Sequence, residues 1–252
     1  MLIGLLWRVF VGIEADKGGV GMQIHGLNKT TLLDYPEHVA ATIFFGKCNF
    51  RCPFCQNGDL VLQPESQPVL EKEEVLSFLR KRKGILSGVC ITGGEPTLEK
   101  ELKSLIREIK EIGYLVKLDT NGYRPEVIRR LLQEKMVDYI AMDIKNSPQR
   151  YAETAGVVHL EVERIRESIG LIMDSGIAYE FRTTVVKELH GEAELLAIGK
   201  EIVDARAYFL QGYQDSERVI AHGFHAYTRE EMERLADCVR PYVANVRLRG
   251  ID

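Results

Sequence analysis

The sequence has no apolar run long enough to cross a bilayer. The apolar stretch at its start, Met1 to Ile13, falls short of the roughly 20 residues a spanning helix needs. It has no basic lead-in and no small-residue cleavage site after it, so it does not read as a signal peptide. There is no basic surplus either. The 33 Lys and Arg face 37 Asp and Glu, a net charge of −4, which leaves no electrostatic footprint for nucleic acid. One basic cluster, Arg80-Lys81-Arg82-Lys83, closes a predicted helix, where cations are favoured. Cysteine is scarce, five in 252 residues, and a disulfide framework is not indicated. A reducing cytoplasm is therefore the expected compartment. No histidine lies between residues 39 and 158. Repeats, low-complexity segments and an interdomain linker are all missing. Neither a membrane nor nucleic acid is an expected partner.

What is present points to one well-packed domain. Hydrophobic residues make up 45% and charged residues 28%, ordinary values for a globular protein. The length is sufficient to bury a sizeable core. Residues 22–252 are expected to form the domain, starting at Met22-Gln23-Ile24-His25-Gly26. Residues 1–21 end in the glycine-rich Lys17-Gly18-Gly19-Val20-Gly21. They are read as an extension outside the fold, consistent with an upstream start codon.

Three of the five cysteines fall in one short segment, Cys48-Asn49-Phe50-Arg51-Cys52-Pro53-Phe54-Cys55. They are spaced C-x3-C-x2-C and directly follow the apolar run Val39 to Gly46. Three is the informative number, because a closed structural metal site takes four ligands. Three thiolates on a cubane of four irons leave one iron open to a small molecule. A zinc site would want a fourth Cys or His at comparable spacing, and none follows nearby. A buried apolar cluster is the other alternative, but Asn49, Arg51 and Pro53 sit poorly in a core. Cys90 and Cys238 lie in strand-like and helical runs and are read as small buried hydrophobes.

Beyond the cysteines, strand-like and helix-like segments alternate. Glu71–Lys83, Leu98–Ile112, Pro125–Glu134, Leu160–Asp174, Gly191–Asp204 and Thr228–Val239 read as helices, with Gly113 a C-cap and Pro125 at a helix start. Gly88–Thr92, Tyr114–Thr120, Val137–Asp143, Ile177–Val186 and Ala207–Leu210 read as strands, with a last one through Val243–Arg247. Gln63–Pro68 reads as a polar surface loop. Repeated strand–helix units predict a parallel sheet with helices outside. Six or seven units predict an incomplete α/β barrel of (β/α)6 type. Polar residues cluster after the strands, at Thr92-Gly93-Gly94-Glu95-Pro96, Asp119-Thr120-Asn121-Gly122 and Asp143-Ile144-Lys145, with Arg182 inside its strand. In parallel barrels that edge carries active sites.

The cysteine segment with Phe54 before its last Cys, followed by Gly93-Gly94-Glu95-Pro96 on the next strand, resembles the radical S-adenosylmethionine (SAM) superfamily. Within it the chain is similar to glycyl-radical enzyme activating enzymes. More narrowly, it resembles the activating proteins of anaerobic ribonucleoside-triphosphate reductase. Gly26-Leu27-Asn28-Lys29-Thr30-Thr31-Leu32-Leu33-Asp34-Tyr35-Pro36 before the first strand, Gln56-Asn57, Asp119 to Gly122 and Asp143 to Lys145 support this.

The resemblance implies a 4Fe–4S cluster, one per chain, on Cys48, Cys52 and Cys55, with SAM at the open iron. It implies that Phe54 and Gln56 touch the nucleoside and that Gly93, Gly94 and Glu95 meet the SAM amino group. Asp143 and Lys145 would lie near SAM, Lys145 neutralising carboxylate charge, and Arg182 is a further candidate for that carboxylate. Asp119 and Asn121 would lie beside the substrate backbone. The residues also admit plainer readings: a strand-to-helix turn for the glycines, a capping role for Asp143, a solvated Lys145, and turn chemistry for Asp119 and Asn121. His190, His222 and His225 read as surface or loop histidines.

The implied activity is an oxidoreductase reaction. SAM is cleaved reductively to methionine and a 5′-deoxyadenosyl radical, which takes hydrogen from a partner's glycine Cα. Flavodoxin or ferredoxin would be the electron donor. With no cysteine between Gln56 and Val89, the extra-cluster insert of longer activases is missing. Two alternatives stay open: a compact radical SAM enzyme acting on a small molecule, resembling 7-carboxy-7-deazaguanine synthase, and a metal-binding or redox-sensing module without SAM chemistry. Deletion of residues 1–21 is expected to leave soluble, folded protein, scored by yield and circular dichroism; loss of soluble protein overturns the boundary at residue 22.

Overall fold

The computed structural model describes residues 22–251. The expected extension, residues 1–21, lies outside the described residues. Eight strands form one sheet in chain order: β1 (Ile24–Thr31), β2 (Ala40–Phe45), β3 (Gly88–Gly93), β4 (Leu115–Thr120), β5 (Tyr139–Asp143), β6 (Ala178–Val185), β7 (Tyr208–Gly212) and β8 (Val246–Arg249). β1 runs antiparallel to β2, and every later neighbour is parallel. Between and after them come α1 (Gly58–Leu62), α2 (Lys72–Lys81), α3 (Leu102–Ile112), α4 (Pro125–Gln133), α5 (Tyr151–Ala155), α6 (Val162–Met173), α7 (Glu192–Glu201) and α8 (Arg229–Val239). Strands β2 to β7 together wall a single cavity, so the sheet curls. The end strands β1 and β8 do not pair with each other, and the curl stays an incomplete barrel with helices outside. Among the described residues no helix is long and apolar enough to cross a membrane.

Period-two alternation sorts the two faces of the sheet. Ile43, Val89, Ile91, Val116, Leu118, Ile140, Phe181 and Leu210 are fully buried and belong to the core shared with helix residues such as Leu76, Ile106, Ile128 and Leu195. The alternate positions face the lumen and are mostly polar: Thr42, Thr92, Asp119, Asp143, Arg182, Thr184 and Gln211 line the cavity, with Phe44 an apolar member. The hydrophobic core thus sits between sheet and helices, and the barrel interior is left for charge.

Local signals behave as the sequence predicts. α3 stops at Gly113 in the left-handed region, φ 110°, and α4 begins with Pro125. α8 opens on a capping box, with Thr228 Oγ1 accepting the Glu231 N–H at 3.2 Å and Glu231 Oε2 accepting the Thr228 N–H at 2.7 Å; this pairing satisfies two otherwise orphan donors. The departures have tertiary causes. β1 carries Gly26, Asn28 and Lys29 and has no clear alternation; pairing with β2 makes it a strand, with two register shifts. The final strand lies three residues later than expected at its start. The supposed surface loop Gln63–Pro68 contains a single 3₁₀ turn with Pro64 buried. Cys90 is fully buried, but Cys238 is only half-buried on α8.

β8 is tied to β6 past the intervening β7. Arg249 makes two bonds to the Glu180 carboxylate on β6, at 2.9 and 3.0 Å, and its guanidinium lies 3.9 Å from the Phe209 ring centre on β7. Glu180 is 1% exposed and keeps one further bond, from the Tyr139 hydroxyl at 3.0 Å. Removing one partner of a buried pair leaves an uncompensated charge. Arg249→Ala is therefore expected to cost about 1–2 kcal/mol, since the Arg249 side chain is partly exposed, read as a lowered urea midpoint; a midpoint equal to wild type would count against the tie.

Candidate active site

The cysteine loop leaves the C-terminal end of β2 and is pinned from several sides. The Arg51 N–H donates to the Ala155 carbonyl of α5 at 2.7 Å, the Cys55 N–H to the Cys52 carbonyl at 3.0 Å, and the Ala221 N–H to the Pro53 carbonyl at 2.7 Å. Phe50 and Phe54 are buried. The Phe54 ring meets His190 and Phe224 edge-on, at 6.0 and 6.2 Å between centres. Cys48, Cys52 and Cys55 all line one cavity of about 370 Å³. Among the described residues no three Cys, His, Asp or Glu side chains form a single-ion site; the three thiols share the wall of one cavity. Burial pushes the Cys48 thiol up to about 12 and the Cys52 thiol up to about 11. A bound metal group would displace those protons.

Opposite stands the turn after β3. The Gly94 N–H donates to the Phe45 carbonyl and the Glu95 N–H to the Lys47 carbonyl, both at 2.8 Å. Gly93 has φ +123°, and a Cβ on Gly94 would strike the Lys47 carbonyl. Only glycine lets the turn lie this close to the cysteine loop. The Asn57 side-chain amide donates to the Gly93 carbonyl at 2.9 Å and closes the contact. Glu95 is buried, and its carboxylate accepts from the Thr97 N–H and hydroxyl, the Thr120 hydroxyl and the Asn121 N–H, at 2.5 to 3.1 Å. Burial pushes this carboxyl up while those donors oppose it. Glu95 thus braces the ends of β3 and β4 before it meets any ligand, which the sequence does not reveal.

A ladder of alternating charge crosses the lumen. Lys117 pairs with Asp119 on β4. Arg182 on β6 bridges Asp119 at 3.0 Å and Asp143 at 2.8 Å. Lys145 completes it on Asp143 at 3.0 Å. Burial alone would raise Asp143, but Arg182 and Lys145 hold it well below the usual carboxylate range. Asp119 is lowered too, Arg182 and Lys117 outweighing burial. The capping and solvated readings of Asp143 and Lys145 therefore do not hold. Asp119 is a lumen residue of the strand and no part of a turn. Asn121 does make the turn, its Oδ1 accepting the Tyr123 N–H at 3.0 Å.

All the expected site residues line this one cavity: the three cysteines, Phe54, Gln56, Gly93, Gly94, Glu95, Asp119, Asn121, Asp143, Lys145 and Arg182. Gln56 is partly engaged elsewhere, its amide donating to the Gln214 carbonyl at 3.1 Å. Lys117, 2% exposed, went unread; its two-residue spacing from Asp119 in a strand was the available signal. His190 corrects the expectation of a surface histidine, since it is fully buried. The Val186 N–H donates to its Nδ1 at 3.2 Å and its Nε2 bonds the Lys145 carbonyl at 2.8 Å, which places the proton on Nε2. Burial lowers its pKa. One partner, the Val186 N–H, is four residues away, but the other, the Lys145 carbonyl, lies 45 residues back, and the sequence around His190 does not reveal it. His222 and His225 are exposed, as expected, beside Asp215 and Glu188.

Residues 42–196 match the profile of the Radical SAM superfamily. The chain belongs to the radical SAM superfamily. One curated relative of this radical SAM protein, from Methanocaldococcus jannaschii, is described as a candidate glycyl-radical enzyme activating enzyme. It is 31% identical over 91% of this chain and 96% of its own length. A 7-carboxy-7-deazaguanine synthase from Thermococcus kodakarensis is 26% identical over 70% of this chain and 80% of its own. Among solved structures, SuiB of Streptococcus suis bound to SAM superposes with a TM-score of 0.64 at 16% identity, covering 83% of this chain and 52% of that one. A spore photoproduct lyase gives 0.58 at 12%, covering 83% and 76%. These structural likenesses are likenesses of fold.

The residues suit the cofactors the superfamily implies. A cubane takes each thiolate on a separate iron, so three thiols lining one cavity are the right donor set. The buried side-chain polar atom left without a partner among the described residues, Asn49 Nδ2, lies in the cysteine loop itself. Glycine backbone and the cations Lys145 and Arg182 face the same space. The ladder also predicts a pH response. Asp143 has a folded pKa below its unfolded value, so its contribution to stability is present above about pH 4 and is lost as pH falls through the folded value. In Asp143→Asn, urea midpoints measured from pH 2 to 7 are expected to be lower at pH 7 and to change less below pH 4. Parallel profiles would remove Asp143 from the acid response.

Proposed function

We propose that this radical SAM enzyme installs a glycyl radical on a partner enzyme, with anaerobic ribonucleoside-triphosphate reductase the expected partner. The observation that carries this reading is the end-to-end match with the M. jannaschii relative. The open seam between β1 and β8 supports it, since a peptide loop needs a way into a barrel.

In this reading Cys48, Cys52 and Cys55 would hold one 4Fe–4S cluster per chain, three ligands where a closed cluster takes four, which would leave a position for SAM. The chemistry that a bound cluster and SAM supply is one-electron cleavage of the C5′–S bond, giving methionine and a 5′-deoxyadenosyl radical. Every other task falls to the chain. Gly93 and Gly94 admit the SAM amino group to backbone acceptors, while the Glu95 side chain holds that turn in place. Lys145 has donors to spare beyond Asp143 and offers them to the SAM carboxylate. Arg182, clamped between two aspartates, contributes charge and keeps Asp119 oriented towards the substrate side. Phe54 and Gln56 border the nucleoside. Buried Phe50 and Phe54 would keep water from the reactive centre, so that hydrogen would come from the positioned glycine Cα of the partner. Flavodoxin or ferredoxin is the proposed electron source.

A second reading, a small-molecule radical SAM enzyme, draws support from the deazaguanine synthase relative and from a cavity volume within the range of small-ligand sites. One anaerobic experiment separates these. After reconstitution and reduction, wild type with SAM is expected to form 5′-deoxyadenosine and Cys52→Ala only background, with about four irons per wild-type chain. Adding the reductase is expected to give a glycyl radical in the paramagnetic resonance spectrum. Product without that radical rejects the activase reading; no product from an intact reduced cluster rejects SAM cleavage here.

A further inference from the structure

The three cysteine sulfurs are not equivalent. Cys48 Sγ accepts the Phe50 N–H at 3.3 Å, and Asn121 Nδ2 approaches it from β4's end at 3.7 Å. Among the described residues no side-chain donor reaches the Cys52 or Cys55 sulfur; Cys52 keeps only its own backbone N–H. The Asn121 amide cannot turn away. Its Oδ1 is held by the Tyr123 N–H at 3.0 Å, and its Nδ2 donates at 2.9 Å to Asn49 Oδ1 in the cysteine loop. Its backbone N–H is fixed on Glu95 at 2.7 Å. Asn121 is 5% exposed, so water does not compete for the amide. Flipping the amide would set its oxygen against the Asn49 oxygen and its nitrogen against the Tyr123 N–H, so the hydrogen-bond network fixes the orientation.

We infer that Asn121 is a positioning residue for the redox step: its side-chain N–H bonds the Cys48 sulfur and sets the reduction potential of the cluster. This rests on the cluster reading above. Reduction adds one electron, drawn from a low-potential one-electron donor, and the extra negative charge spreads onto the cysteine sulfurs. A donor on one of those sulfurs stabilises the reduced form more than the oxidised form and raises the potential. The same residue ties the Gly-Gly-Glu turn, through Glu95, to the cysteine loop, through Asn49. Whatever shifts the turn shifts the donor on the sulfur.

The test is a resonance-monitored redox titration of reconstituted protein without SAM. Asn121→Asp keeps an oxygen for the Tyr123 N–H and the backbone bond to Glu95 while losing the donor to sulfur. Asn121→Ser also keeps a turn acceptor and adds no charge; Asn121→Ala is the plain deletion. Each variant is expected to move the reduction equilibrium at least tenfold towards the oxidised form, about 59 mV for one electron, with Asp moving it most. Variants with wild-type iron content and wild-type potential overturn the inference, even if 5′-deoxyadenosine yield falls. A wild type that takes up no iron overturns the cluster reading instead. Should Ala fail to fold, Asp and Ser carry the same comparison.

Discussion

Arg182 sits, largely buried, between Asp119 and Asp143 in the lumen, and the rest of the barrel interior follows from that. A parallel sheet curled with its apolar face outward has to fill its inside with something. Here it is filled with charge, and buried charge is tolerable only when paired. The sequence Lys117, Asp119, Arg182, Asp143, Lys145 alternates in sign across three strands. Each member loses its compensation if a neighbour is removed. The ladder therefore fixes the relative heights of β4, β5 and β6 as firmly as the backbone register does, and it holds two cations where an anionic ligand group can reach them.

The second constraint is distance between strand ends. The cysteine loop, the glycine turn and the end of β4 meet because two residues lack a side chain and one carboxylate accepts four bonds. Glu95 is the common brace: it ties its own turn to Thr120 and Asn121, while Asn57 ties the turn back to the cysteine loop. The site is thus assembled from strand ends that hold one another, and the order of strands in the sheet brings them together without any long loop having to reach across.

Much of this was legible from the residues. Three cysteines after an apolar run, a double glycine after the next, and polar residues after each later strand marked the active edge, because strand period and turn chemistry are local. The helices were legible to within a few residues at most ends for the same reason. What escaped reading depends on partners far along the chain. β1 is a strand only because β2 lies beside it, and the short α5 forms where it receives the Arg51 N–H. Lys117 looked like one charge in an apolar strand until Asp119 and the lumen gave it a place. Glu95 was legible as a site residue, but while two of its four donors come from nearby Thr97, the other two come from Thr120 and Asn121 at the end of β4. His190 was misread because loop histidines are usually wet, whereas this one is enclosed by backbone groups.

That histidine has a mechanical consequence. With Nδ1 fixed on the Val186 N–H and Nε2–H on the Lys145 carbonyl, a flat aromatic ring spans two chain segments at an unvarying length. It cannot stretch, as a flexible side chain or a bridging water could. The end of β6 and the end of β5 are therefore coupled like the two ends of a strut. The ring thus holds the chain after β6 at one spacing from Lys145, whose side chain lines the cavity of the cysteines.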